Sequence, residues 1–175
     1  EYVLEVPAIF KIDENNNLKK SDKTINMELK LLEEKKQLSP QNIKFYLQQI
    51  FTNVRLKNVL EVRGADRTPF GYELAPVAFW TGLLTDEKIK EIVLSEINKW
   101  TFEDRRAFNI ASLKLDESQQ GPMGKSYAYW NNWAMELAIK GLENRGKGEK
   151  IFLEKFISII KSKGPFTLQL QNNEG

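Results

Sequence analysis

Alternating polarity, the pattern of a β-strand, occurs in only two stretches of this 175-residue chain. Residues 2–10 alternate weakly around Pro7, which predicts an edge strand or a bulged strand because proline cannot donate a ladder hydrogen bond. Residues 55–65 alternate more regularly and are the clearest predicted strand. Two strands alone do not make a stable sheet. We therefore expect partner strands from sequence outside this chain, whose first residue is Glu1 rather than methionine.

Most other segments have the apolar spacing of helices. Ser39 followed by Pro40 predicts a helix start. A weaker helical pattern begins at Ile25, after a predicted loop over residues 13–22. Residues 75–84 are apolar on nearly every side, which predicts a buried helix.

The second half of the chain is predicted to be helical from Asp86 onward, apart from a polar loop over residues 114–125. One of these helices ends at Gly146 and the last ends at Gly164. The predicted order is strand, helices, strand, helices, in a single domain over residues 1–175.

The chain contains neither cysteine nor histidine. Disulfides, thiolate chemistry, the usual zinc sites and an imidazole base are therefore excluded within it. Any chemistry must use carboxylates, arginine, lysine, hydroxyl groups or backbone amides.

Charge and hydropathy indicate an ordinary protein domain. The 26 Lys and Arg residues nearly balance the 24 Asp and Glu residues, so the net charge of +2 gives no reason to expect nucleic acid as a partner. No apolar run is long enough to cross a membrane, and the N-terminus lacks the pattern of a secretory signal. We therefore expect a cytoplasmic protein without membrane contact.

Two motifs favour ordinary structural interpretations. Gly124, Lys125 and Ser126 resemble the end of a phosphate-binding loop, but Gln119 stands where that motif needs glycine, so we predict a helix-entry loop. The Trp and Tyr residues of segment 127–133 are predicted to pack in and around a core rather than to stack on bases.

Glu61 and Arg63 form the most informative pair in the sequence. On one strand their spacing places a carboxylate and a guanidinium on the same face, next to Lys57. One interpretation is a solvated ladder of cross-strand ion pairs. The other is a nucleotide site, in which the carboxylate supplies oxygen to Mg²⁺ and the arginine binds a phosphate bidentately.

Two longer segments resemble the glutamate–cysteine ligase family of the plant and proteobacterial type. Residues 54–66 read VRLKNVLEVRGAD and residues 74–84 read LAPVAFWTGLL, which are similar to that family's VRLKxYLExRGAD and LPAFWxGLL patterns. Weaker similarity involves Val6, Pro7 and Phe10, residues 45–51 and residues 138–146. The resemblance covers most of the chain and corresponds to the C-terminal part of a full enzyme.

This resemblance implies an α+β, glutamine-synthetase-like fold with a partial antiparallel sheet and a mostly helical C-terminal half. It also implies that ATP phosphorylates the γ-carboxylate of glutamate and that the amine of cysteine then displaces phosphate, giving γ-glutamylcysteine for glutathione synthesis. By the same resemblance, Glu61 is a Mg²⁺ ligand and Arg63 lies at the nucleotide phosphates as a catalytic, cofactor-binding residue. Phe70 and Ile9 are the implied substrate-binding residues.

Three positions depart from the family pattern. Phe70 replaces the tryptophan expected beside bound glutamate, Ile9 replaces a tyrosine, and Tyr46 replaces a histidine. These changes leave the acceptor amine open. The alternatives are a related ligase that uses another amine and a non-catalytic interaction domain of the same fold. The chain by itself is expected to be inactive, because further acidic metal ligands are expected upstream of Glu1.

Overall fold

The computed structural model describes residues 2–56 and 59–173, and its contacts divide the chain into two units, Glu1–Ala65 and Asp66–Gly175. Elements of the first unit are α1 (Tyr2–Glu5), β1 (Phe10–Ile12), β2 (Leu18–Lys20), α2 (Ile25–Glu34), α3 (Pro40–Leu47), β3 (Val54–Leu56) and β4 (Leu60–Val62). Elements of the second unit are α4 (Ala75–Thr85), α5 (Glu87–Ile97), α6 (Phe102–Ala111), a short 3₁₀ turn (Pro122–Gly124), α7 (Tyr127–Arg145), α8 (Lys150–Lys163) and α9 (Phe166–Asn173). This mixture of helices with two small antiparallel hairpins is compatible with the predicted α+β class.

The first predicted strand, residues 2–10, is wrong at its start and is confirmed only further along, where Pro7 forms an isolated antiparallel bridge with Thr24 and Phe10 begins a strand. Its beginning forms the single turn of α1, and β1 starts only at Phe10. Short apolar runs fit a helix or a strand equally well, so packing decides between them. Here Val3 and Val6 pack against a buried cluster that includes Ile25 and Tyr46.

A hairpin occupies part of the predicted loop over residues 13–22. Strands β1 and β2 pair antiparallel across a turn in which Asp13 Oδ1 accepts the backbone N–H groups of Asn15 and Asn17, at 3.0 and 2.8 Å. Asn16 has a φ of 62°, a left-handed conformation that asparagine tolerates. The sequence pattern misses β2 because its residues, Leu-Lys-Lys, are exposed and do not alternate.

The two predicted helices of the first unit are confirmed. Thr24 caps α2 by accepting the N–H of Met27. Ser39 and Asn42 form a reciprocal capping box at the start of α3, with Pro40 in its first turn. Helix α3 ends at Leu47, so the apolar residues Ile50 and Phe51 lie beyond it, although their spacing from Ile43 and Leu47 is helical.

The predicted helices of the second unit are also confirmed, and α9 is an addition that the sequence pattern did not indicate. Helices α4, α5, α7 and α8 enclose a core whose buried residues are Ala78, Leu83, Ile89, Ala138, Leu142 and Leu153. Helices α4 and α7 approach closely: a Cβ atom added at Gly82 would overlap the backbone of Ala138, and one added at Gly141 would overlap the backbone of Gly82. Residues 75–84 are less buried than predicted, because Val77 and Leu84 are exposed.

The two structural interpretations of the 121–133 region are confirmed. Gly124 has a φ of +68° in the turn before α7, and Ser126 caps that helix by accepting the N–H of Tyr129. Trp130 is 3% exposed, stacks edge-on against Trp100, and donates its indole N–H to the carbonyl of Pro122 at 3.0 Å. Among the described residues, none of the helices has both the length and the apolar composition needed to cross a bilayer.

Candidate functional site on the second hairpin

The segment that contains Glu61 is a hairpin rather than one strand, so the prediction of a single strand over residues 55–65 is wrong. Strands β3 and β4 pair antiparallel, with Val54 opposite Val62 and Leu56 opposite Leu60. A strand and a hairpin of this register have the same alternating pattern, because Leu56 and Leu60 are separated by an even number of positions. Asn58 favours a turn by its residue type and could have indicated the reversal. Lys57, predicted beside Glu61, lies outside the described residues.

The reversal places Arg55 directly across the hairpin from Glu61. The Nε and Nη2 atoms of Arg55 both lie 2.8 Å from Oε2 of Glu61. Side-chain exposure is 19% for Arg55 and 37% for Glu61, so the ion pair is partly shielded from water. One of the two interpretations, a cross-strand ion pair, is therefore confirmed for Glu61. Its partner is Arg55, which the prediction of a single strand could not identify.

Arg63 follows β4 and has different contacts. Its backbone N–H donates to the carbonyl of Asn53 at 2.7 Å, which extends the pairing of the hairpin by one step. Its guanidinium carbon lies 4.9 Å from the centre of the Phe51 ring, a cation–π distance. Its Nη1 atom lies 3.5 Å from the carbonyl oxygen of Thr52. Glu61 and Arg63 therefore lie two positions apart on the second half of the hairpin, and they contact different groups.

Ile9 belongs to the same unit but is held through its backbone. Its N–H donates to Oε1 of Gln49 at 2.9 Å, and its carbonyl accepts the N–H of Ser21 at 3.0 Å. The side chain of Ile9 is 41% exposed. Gln49 also bonds both backbone groups of Phe10, so it anchors the start of β1.

Phe70 lies in the second unit, in an exposed turn before α4. Its side chain is 97% exposed, so it is not a core residue of that unit. Gly71 next to it has a φ of 90°, and the N–H of Tyr72 donates to the carbonyl of Pro69. The substrate-binding roles of Ile9 and Phe70 stay predictions.

Tyr46 is buried in the first unit, and its hydroxyl interacts with a buried carboxylate. Burial, together with the charge and hydrogen bond of Glu28, raises the pKa of Tyr46 to about 12. Glu28 is 5% exposed and also accepts the hydroxyl of Ser21 at 2.6 Å. The replacement of a histidine by Tyr46 thus changes the interior of this unit.

The chain has relatives among known proteins. Residues 1–148 match the family model of glutamate–cysteine ligase family 2. The chain belongs to this family. It is 34% identical over 119 residues to the chloroplastic glutamate–cysteine ligase of Nicotiana tabacum, covering 67% of this chain and 22% of that protein.

Two further chloroplastic glutamate–cysteine ligases give the same result. The Medicago truncatula protein is 35% identical over 67% of this chain and 23% of its own length. The Arabidopsis thaliana protein is 29% identical over 93% of this chain and 31% of its own length. The chain therefore spans between about a fifth and a third of the curated relatives it matches. Because these relatives are named chloroplastic, the prediction of a cytoplasmic protein is wrong.

Family membership raises the question of whether the residues present fit Mg²⁺. Glu61 offers the hard oxygen donor that this ion prefers, on a hairpin that restricts its movement. In the described part of the chain, no group of three or more acidic side chains could hold a metal ion. Protein Mg²⁺ sites commonly use one or two carboxylates together with substrate phosphates and water, so Glu61 fits as one ligand of such a site.

Proposed function

We propose that the protein containing this chain ligates glutamate to cysteine and that residues 1–175 form the C-terminal part of its catalytic domain, with a glutamine-synthetase-like fold. The match to glutamate–cysteine ligase family 2 over residues 1–148 carries this proposal. The relatives' names support the reaction, and they indicate a plastid as its compartment.

The proposed reaction has two steps. An oxygen of the glutamate γ-carboxylate attacks the terminal phosphorus of ATP, and ADP leaves with the electrons of the broken P–O bond. The amine of cysteine then attacks the acyl carbon, loses a proton, and displaces inorganic phosphate to give γ-glutamylcysteine. Both steps crowd negative charge, which fixed cations stabilise.

Glu61 and Arg63 are the residues of this chain that we assign to the phosphates. Mg²⁺, when bound, would supply positive charge between the phosphate oxygens. Glu61 would hold this ion through a carboxylate oxygen, with further oxygen ligands from other parts of the parent protein. The planar guanidinium of Arg63, which lies over the Phe51 ring, would bind two phosphate oxygens at once.

A related ligase with another acceptor amine is the second candidate. Phe70 and Ile9 favour it, because both depart from the family pattern at positions implied to contact substrate. Both residues are exposed, Phe70 at 97% and Ile9 at 41%, so each is accessible to a small molecule in its own unit.

The test is ADP release by the parent protein with Mg²⁺, ATP and glutamate, comparing cysteine with other small amines and with no acceptor. We expect cysteine to stimulate release most and Glu61→Gln to abolish it. Glu33→Gln, an exposed carboxylate on α2, is the matched control and should leave turnover unchanged. Normal turnover of Glu61→Gln contradicts the proposed site, and stronger stimulation by another amine supports the second candidate. If the parent protein neither binds nucleotide nor releases ADP, the result supports an interaction domain instead.

A further inference from the structure

We infer that Arg55 is a positioning residue that fixes the carboxylate of Glu61 for its metal ion. This inference rests on the proposed function, because it assigns Arg55 a role through Glu61 rather than through substrate. The observation behind it is the pair of contacts at 2.8 Å from Nε and Nη2 of Arg55 to one oxygen of Glu61.

The geometry of the contact restricts the carboxylate more than a single hydrogen bond would. Two N–H groups from a planar guanidinium converge on Oε2, so rotation of the Glu61 carboxylate breaks both contacts. The two residues are directly opposed on paired strands, which fixes the distance between their Cα atoms. Arg55 itself is partly buried at 19% side-chain exposure, and its Nη1 lies 3.5 Å from the carbonyl of Gln48.

Metal binding and this contact are chemically compatible. An ionised carboxylate has two oxygens and about four acceptor positions, so an arginine and a metal ion can share one group. The cation of Arg55 nevertheless lies within a few ångströms of any ion that Glu61 binds, and like charges repel. Arg55 therefore has two opposite effects on the affinity for a metal ion: repulsion weakens it, and orientation of the ligand strengthens it.

These opposite signs make the inference testable. If Arg55 contributed only charge, its removal would tighten metal binding. If it only stabilised the hairpin, its removal would lower the thermal midpoint and leave the metal affinity of the folded protein unchanged. A positioning role predicts weaker metal binding in a folded protein, because without the two Arg55 contacts the carboxylate has more orientations to lose when the ion binds.

The experiment measures Mn²⁺ binding to the parent protein by the electron paramagnetic resonance of free Mn²⁺, with a non-hydrolysable ATP analogue present. We expect Arg55→Gln to weaken Mn²⁺ binding about tenfold. The same variant should raise the Mg²⁺ concentration needed for half-maximal ADP release by a similar factor, with a smaller loss of kcat. Arg55→Lys keeps the charge but loses the planar fork, so it should recover only part of the affinity. Arg106→Gln, at an exposed position on α6, is the matched control and should bind as the unmodified protein does.

The outcomes separate the two proposals. Mn²⁺ binding that is unchanged or tighter in Arg55→Gln overturns the positioning role, provided that Glu61→Gln loses the metal. If Glu61→Gln binds Mn²⁺ and turns over normally, the proposed site and the role of Arg55 both fail. Circular dichroism and the thermal midpoint establish that each variant is folded. If Arg55→Gln does not fold, Arg55→Lys decides, and normal affinity in that variant overturns the inference.

Discussion

The close crossing of α4 and α7 allows a quantitative test of the second unit. A Cβ atom added at Gly82 would overlap the backbone carbonyl of Ala138, with that residue's Cα only 2.9 Å away. The obstacle is a backbone in the middle of a helix, which cannot rotate aside as a side chain can. Gly82→Ala must therefore push the two helices apart at the core that contains Ala78 and Leu142.

The expected size of the effect follows from two opposing contributions. Overpacking a well-packed core costs about 1–3 kcal/mol. Alanine is favoured over glycine in a helix by roughly 0.5–1 kcal/mol, which offsets part of this cost. We expect Gly82→Ala to lower the free energy of unfolding of the second unit by about 1–2 kcal/mol. Gly141→Ala should lower the free energy of unfolding by a similar amount. The double variant should lose less than the sum of the two single losses, because both methyl groups separate the same helices.

Urea unfolding followed by tryptophan fluorescence measures this effect selectively, because all four tryptophans lie in the second unit. Val77→Ala is the matched control: Val77 is an exposed residue of the same helix, so stability should stay the same or rise slightly. The reasoning is refuted if Gly82→Ala leaves the midpoint unchanged or raises it. If the two losses of unfolding free energy simply add in the double variant, the explanation that both methyl groups act at one shared contact is refuted.

Two further predictions concern ionisable groups away from the candidate site. Tyr46→Phe removes a donor from buried Glu28 and should cost about 1–2 kcal/mol in chemical unfolding, whereas Tyr129→Phe, at an exposed position, should cost nothing measurable. Since the pKa of Tyr46 is raised from 10 to about 12, the stability it contributes is present below pH 10 and is lost as pH rises towards 12; an equal alkaline loss in Tyr46→Phe would contradict this. The pKa of Asp86 is lowered by the N–H of Ile89 and by Asn144, so its stabilising contribution is present above pH 3.8 and is lost on further acidification. Asp86→Asn should reduce that acid sensitivity of the second unit in thermal scans, and an unchanged pH profile would count against the cap.

Helices were predictable from this sequence wherever a capping residue at the start is followed by apolar residues at helical spacing. Ser39 with Pro40 marks a helix start that the structure reproduces with a capping box. The short strands were harder, because three residues carry too little periodicity. Leu18–Lys20 becomes a strand only by pairing with its neighbour, which is a tertiary event that local pattern does not record.

For the candidate site, the residue types were predictable but the contacts were not. The motif around Glu61 and Arg63 is visible in sequence, whereas the partner of Glu61 is not. Arg55 becomes that partner only because the chain reverses between β3 and β4. A pattern of period two is the same in one strand and in an evenly spaced hairpin, so alternation alone could not distinguish them.

The different partners of Glu61 and Arg63 bear on how the pair could act together. A carboxylate and a guanidinium two positions apart on one strand can form an ion pair with each other. In such a pair the carboxylate is less able to bind a metal ion, and the guanidinium is less able to bind a phosphate. Here Glu61 is bonded across the hairpin by Arg55, while the guanidinium of Arg63 stacks on Phe51. An aromatic ring attracts a cation without neutralising its charge. The hairpin thus keeps a positive charge near a carboxylate that is held by another residue, which is the arrangement that the proposed binding of a metal–nucleotide complex needs.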